Sequence, residues 1–151
     1  MFNADFRDFI EALRRHGVRY VLVKGYSVIL HGYSRITGDL DIWVEKSAGN
    51  YDRLARAFHD FGMPTFDITA DNFLHNPAFD VFTFGRLLVA IDIITRLKGL
   101  EFVEAFAQAA DTEVEGLSSH LIHYQHLLQA KRAAGRPRDQ NDLDNLTSRK
   151  R

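Results

Sequence analysis

Residues 23–44 read Val-Lys-Gly-Tyr-Ser-Val-Ile-Leu-His-Gly-Tyr-Ser-Arg-Ile-Thr-Gly-Asp-Leu-Asp-Ile-Trp-Val, and the fold is decided within and around them. The apolar, β-prone run Tyr20–Val23 leads into Lys24, Gly25 and Ser27, and Val28, Ile29 and Leu30 begin a short helix that Gly32 ends. A second strand, Asp39–Val44, follows. Successive strand side chains alternate between faces, so Asp39 and Asp41 project together, roughly 6–7 Å apart along the backbone. Leu40 and Ile42 project the other way, into apolar packing. Carboxylates set side by side repel each other. A divalent cation removes that repulsion, and hard Mg²⁺ is held by a few carboxylates together with phosphate oxygens. The strand, Gly-x-Ser turn and helix upstream offer backbone N–H groups at a helix N-terminus, where a phosphate can sit. Either half alone says little, because Asp-x-Asp recurs by chance and Gly-x-Ser is commonly a plain cap. In this order they read as a metal-dependent site that handles a nucleotide.

Downstream, Phe79–Phe84 and Leu87–Ile94 are apolar runs joined by Gly85-Arg86, which predicts an antiparallel hairpin. Asp92 lies inside the second run, between Ile91 and Ile93. A buried, unpaired carboxylate there is costly. Asp92 is therefore exposed at a strand end, paired with a cation such as Arg96, or a third metal-binding carboxylate beside Asp39 and Asp41.

The other segments frame this centre. Asn3 is placed to cap a first helix whose Phe6, Phe9, Ile10 and Leu13 share one face, closed by Gly17. After a turn at Ser47–Gly49, helical spacing runs through Leu54, Phe58 and Phe61 to Gly62, and Asp67–Asn76 reads as loop, with room for one helical turn before Pro77. Glu101–Ala110 is an amphipathic helix with Phe102, Val103 and Phe106 inward, and Thr112–Glu115 with Leu117–Ile122 forms a hairpin around Gly116. His123–Ala134 is helical, Gly135 is its C-cap, Pro137 opens the next helix, and that last helix spans about Asp139 through Leu146. Residues 147–151 read as a frayed basic tail. His31 is a capping or packing residue, and Trp43 packs beside the sheet. His120, His123 and His126 are spaced by three, but a strand residue followed by a helix start does not assemble a zinc site. Lys131, Arg132, Arg136 and Arg138 concentrate positive charge around a helix end, where it complements the dipole.

Composition bounds the class. The 151 residues suit a single domain with a substantial core, 46% hydrophobic and 12% aromatic. With 19 basic and 20 acidic residues, nothing in the overall balance announces a nucleic-acid binder. The absence of cysteine excludes disulfides and thiolate metal sites and fits a reducing cytoplasm. The N-terminal residues do not resemble a signal peptide, and no apolar run approaches the roughly 18 residues of a membrane span.

Gly25, Tyr26, Ser27, Val28, His31, Gly32, Arg35, Thr37, Asp39, Asp41 and Ile42 form a pattern that resembles the nucleotidyltransferase superfamily typified by DNA polymerase β. The pattern looks closest to a small bacterial branch related to abortive-infection and toxin–antitoxin nucleotidyltransferases. Ile91-Asp92-Ile93-Ile94-Thr95, leading into Lys98-Gly99, and the stretch Lys131 to Asp139 resemble two further islands of that branch. The resemblance implies an α/β (α+β) nucleotidyltransferase fold with a mixed sheet of about five strands and surrounding helices. It implies that Asp39, Asp41 and Asp92 hold two Mg²⁺ ions, or Mn²⁺ in their place. It implies that Gly25, Ser27, Arg35, Thr37, Lys131 and Arg136 contact phosphates. The activity implied is transfer of an NMP from an NTP to an acceptor hydroxyl on RNA, tRNA, protein or a small molecule, with release of pyrophosphate. So short a chain suggests that a partner chain or a homo-oligomer completes the acceptor site. Lys24 departs from the branch, which has Gly there. Its side chain either crowds the triphosphate, which suits a nucleotide-binding but catalytically degenerate partner in a toxin–antitoxin or phage-defence system, or adds a cation to the phosphate site. A purely structural interaction domain requires instead that the three carboxylates be scattered.

Overall fold

The computed structural model describes residues 4–32, 38–65, 67–86, 89–114 and 116–149. Their elements run α1 (Ala4–Arg15), β1 (Tyr20–Val23), α2 (Lys24–Leu30), β2 (Asp39–Val44), α3 (Ala48–Phe61) and α4 (Ala70–Leu74). They continue with β3 (Val81–Arg86), β4 (Val89–Ile94), α5 (Phe102–Gln108), β5 (Ala110–Val114), β6 (Leu117–Leu121), α6 (Tyr124–Ala134) and α7 (Pro137–Arg149). The strands form one mixed sheet of six, rather than about five, in the order β3-β4-β2-β1-β6-β5. Pairing is parallel for β2 with β4 and for β1 with β6, and antiparallel elsewhere.

Strand alternation sorts the sheet into two faces. Leu40, Ile42, Ile91, Ile93, Phe82 and Phe84 are buried on one of them. There α1 and α3 cover the sheet, with Phe58 edge-on to Phe84 at 4.8 Å and to Phe9 at 5.5 Å. On the other face Trp43 lies edge-on to Phe102 of α5 at 5.3 Å, so it packs beside the sheet as expected. Asn50, fully buried near the start of α3, ties the helix to the sheet. Its amide nitrogen donates to the Arg19 and Glu45 carbonyls at 3.1 and 2.8 Å, and its oxygen accepts from the Arg19 N–H at 2.8 Å. Every one of those bonds satisfies a buried polar group, which makes the clamp favourable.

Several local expectations need correction. Gly85 and Arg86 are strand residues, paired with Ala90 and Val89, so the β3–β4 connection falls at residues 87–88, outside the described residues. The register that pairs Phe82 with Ile93 and Phe84 with Ile91 buries all four side chains together, and this packing outweighs the turn preference of Gly85. Ser47 is not in a turn but caps α3, accepting from the Asn50 N–H at 3.2 Å. Thr69 likewise caps α4 within the stretch read as loop. On α5, Val103 is 72% exposed and Ala105 is buried, so the inward face runs through Phe102, Ala105 and Phe106. Helix α7 opens at Pro137, as expected, where a missing N–H costs nothing, but it continues through Arg149. No helix among the described residues is long and apolar enough to cross a membrane.

The loop after β4 docks on α6 through Gly99. Its backbone has φ +90°, a Cβ there would lie 2.7 Å from the Ala133 Cβ, and its carbonyl accepts from Gln129 Nε2 at 2.7 Å. Gly99→Ala therefore meets both left-handed strain and a clash. Urea denaturation is expected to show a loss of about 1–3 kcal/mol; an unchanged midpoint would contradict this docking.

Candidate functional site

A row of cross-strand partners crosses the centre of the sheet: Thr83, Asp92, Asp41 and Val23, contributed by β3, β4, β2 and β1. Partners in register share a face, so Asp92 and Asp41 project side by side, with Asp39 two residues back along β2 on the same face. Their surroundings differ. Asp39 is exposed, Asp92 is half-buried, and Asp41 is only 7% exposed. Thr83 donates its hydroxyl to Asp92 Oδ1 at 2.7 Å and fixes that carboxyl against the sheet.

Asp41 is pushed up to about 7. Burial is the largest cause, because taking a carboxylate out of water disfavours its charged form. The Lys24 ammonium opposes the rise, while the Asp92 charge, a hydrogen bond between the two carboxyls and the Asp39 charge add to it. Two carboxyls hydrogen-bond only when one of them carries a proton, so the pair is an electrostatic surplus held by the fold.

The donor chemistry suits a hard divalent cation. Among the described residues no three His, Asp or Glu side chains converge as a ready-made cage. Mg²⁺ does not need one: it is commonly held by one or two carboxylates, with water and substrate phosphates filling the remaining positions. A crowded carboxyl pair, with Asp41 buried and Asp92 half-buried, and an exposed third carboxylate nearby fit that habit.

Lys24 follows Val23, the cross-strand partner of Asp41, and begins α2. Its φ of +57° makes it the only residue other than glycine with a positive φ among the described residues. Gly25 and Ser27 are buried within α2. The Ser27 hydroxyl donates to the Lys24 carbonyl at 2.5 Å, so it closes the first helical turn instead of facing the open side of the site. Arg35 and Thr37 lie outside the described residues.

The third island arrives with α6 and α7. Lys24, Leu97, Lys131, Arg136 and Asp139 line one small pocket, so tertiary packing joins the first and third islands. Within it the cations are not equivalent. Lys131 is 4% exposed, and its ammonium lies 3.3 Å from Asp139 and 3.1 Å from Asp142, both fully buried. The Arg136 side chain is half exposed and forks onto Asp139, with Nε to Oδ2 at 2.7 Å and a second bond to Oδ1 at 3.2 Å. Burial pushes Asp139 up, but the Arg136 hydrogen bonds and the Lys131 charge together hold it down at about 2. Arg136 is raised, first by its bond to Asp139 and also by the Asp41 charge, which places the start of α7 within the field of the carboxylates. Lys131 thus serves a buried ion cluster, and Arg136 is the cation left partly open.

Asp139, Asp142 and Thr83 were not anticipated as partners of the site. A signal for the two acids does exist: Asp139, Asp142, Leu143 and Leu146 follow a three-and-four spacing, and all four are buried. His31 packs, as expected, with Nε2 2.8 Å from the Ile122 carbonyl. His120 belongs to β6, and His123 caps α6 by accepting from the Gln125 N–H at 3.0 Å. A cleft of about 870 Å³ lies farther along β2 and β4 beside Trp43, Lys46, Thr95 and Lys98, and Asp39, Asp41 and Asp92 do not line it.

No protein-family model matches the chain, and no curated protein matches it significantly. Among solved structures, the chain is similar to a candidate nucleotidyltransferase from Thermotoga maritima. The TM-score is 0.59 at 15% identity, over 95% of this chain and 91% of that one. At that identity the likeness is one of fold.

Proposed function

We propose that this chain is a metal-dependent nucleotidyltransferase that moves an NMP from an NTP to an acceptor hydroxyl. The observation that carries the reading is the in-register pairing of Asp41 with Asp92, with Asp39 on the same face. The fold shared with the Thermotoga protein supports it, although a fold alone does not assign chemistry. Asp41, Asp92 and Asp39 would hold Mg²⁺ or Mn²⁺. A divalent cation bound there neutralises phosphate charge and polarises the acceptor hydroxyl.

The chain's own residues divide the remaining work. Lys24 and Arg136, which line one small pocket, attract and orient the triphosphate. Asp92, steadied by Thr83, takes the proton of the acceptor hydroxyl as its oxygen bonds to the α-phosphorus. The bond to the β-phosphate bridging oxygen breaks in the same displacement, and pyrophosphate leaves. A second reading, nucleotide binding without turnover, draws on the inward-facing Ser27 and the lysine in the left-handed turn.

Isothermal titration of each NTP, with Mg²⁺ and with EDTA, tests the site. Binding is expected only with metal, and is expected to vanish in Asp39→Asn/Asp41→Asn. Failure of every nucleotide to bind would sink the enzyme reading. Metal-dependent binding with no transfer of radiolabelled NMP to RNA or protein acceptors would select the second reading.

A further inference from the structure

The sheet has two edges, β3 and β5, and they differ in what an added strand would meet. An edge strand presents a row of backbone N–H and C=O groups that its own sheet does not take up. On β3 the register shows which residues carry that row. The Thr95 N–H donates to the Asp80 carbonyl at 3.0 Å, so these two form a hydrogen-bonded pair at one end of the β3–β4 ladder. Hydrogen-bonded and non-hydrogen-bonded pairs alternate along an antiparallel ladder. Phe82 and Phe84 therefore direct their backbone groups to β4, while Val81, Thr83 and Gly85 direct theirs to the outer side. Among the described residues no strand pairs with that side. All three outward residues are exposed, and Val81 is 46% exposed.

This edge is complementary to itself. An antiparallel second copy centred on Thr83 pairs Thr83 with Thr83 and Val81 with Gly85, so every outward N–H and C=O meets its opposite. The same register sets Asp80 across from Arg86 of the second copy, and the two-fold axis repeats the pairing. Opposite charges directly across a ladder are favourable. The other edge, β5, behaves differently. A second copy centred on Thr112 would set Asp111 across from Glu113, and like charges in that position oppose pairing. Strand β3 has neither the proline nor the lysine that commonly blunts an edge.

We propose that β3 is the interface of a two-fold dimer of this chain, in which two sheets continue into one through their β3 edges. One patch serves both copies, as a two-fold interface requires. The pairing also joins the two carboxylate faces, because Thr83 lies on the face of Asp92 and donates its hydroxyl to that carboxyl. With adjacent strands about 4.8 Å apart, the two Asp92 positions stand roughly 14 Å apart on one continuous surface. The dimer follows from strand register and charge, independently of the chemistry of the carboxylates.

Sedimentation velocity of the full chain over a dilution series reads the association. Wild type is expected at twice the 17.3 kDa chain mass, moving towards the monomer on dilution. Val81→Pro removes an outward N–H that β4 does not use, and is expected to give monomer. Asp80→Arg and Arg86→Asp each oppose like charges and are each expected to weaken the dimer about tenfold. Asp80→Arg/Arg86→Asp exchanges the charges and is expected to restore wild-type association, a recovery that misfolding of the single variants would not produce. Monomer mass at every concentration would overturn the dimer and leave the edge to an extended strand of another protein. A dimer indifferent to both single reversals, or a double variant as weak as the singles, would overturn pairing through β3.

Discussion

Asp41→Asn raises the stability of the metal-free protein at pH 8 by roughly 4 kcal/mol, while removing metal-dependent nucleotide binding. The size follows from a carboxyl raised from 3.8 to about 7, at about 1.4 kcal/mol per unit. The sign follows from proton linkage. Below about pH 4 both folded and unfolded chains carry the proton on Asp41, and the group exacts no cost. Between about 4 and 7 the unfolded chain loses that proton and the folded chain keeps it, so stability falls as pH rises. Above about 7 the folded chain must hold a buried carboxylate beside Asp92, and the full cost is present. Asparagine keeps the shape and never ionises. Denaturant titrations in EDTA should therefore show a gap between variant and wild type that is wide at pH 8 and closed near pH 4. A variant no more stable than wild type at pH 8 would refute the crowded-pair account. Added Mg²⁺ is expected to narrow the gap, because a ligand that binds only the folded state stabilises it. Under the proposed function, binding and stability oppose each other at this residue.

Lys131→Met costs about 3–5 kcal/mol, because it leaves two buried carboxylates with one cation fewer between them. Asp139 keeps Arg136, so the uncompensated charge falls chiefly on Asp142. The double variant Lys131→Met/Asp142→Leu should recover most of the loss, since apolar groups of similar volume commonly replace a buried pair with little net change. Equilibrium unfolding of the single and double variants separates two roles for Lys131. A loss below about 1 kcal/mol in the single variant, with NTP binding abolished, would return Lys131 to the phosphate contact implied by the resemblance. The depressed Asp139 adds a pH signature: its contribution is present above about pH 4 and disappears as pH falls towards 2.

The elements that depend on neighbours in the chain were legible from the residues alone. Alternation along Asp39–Val44 determined that Asp39 and Asp41 share a face, because a strand has period two whatever it packs against. Apolar spacing in α1 and α3, and the break at Gly116 between β5 and β6, depend in the same way on local backbone geometry. The carboxyl pair was legible only as one of three readings of Asp92. Choosing among them needs the register of β2 against β4, a pairing between residues about fifty apart that burial of Ile42, Ile91 and Ile93 selects. The same long-range packing turned Val103 outward, moved the hairpin connection past Arg86 and enclosed Lys131 between two acids. Charge and spacing along the chain determined which groups could meet phosphate or metal. Tertiary structure decided which of them is buried, because burial is set by everything that packs on a side chain, and sequence neighbours are only a small part of that.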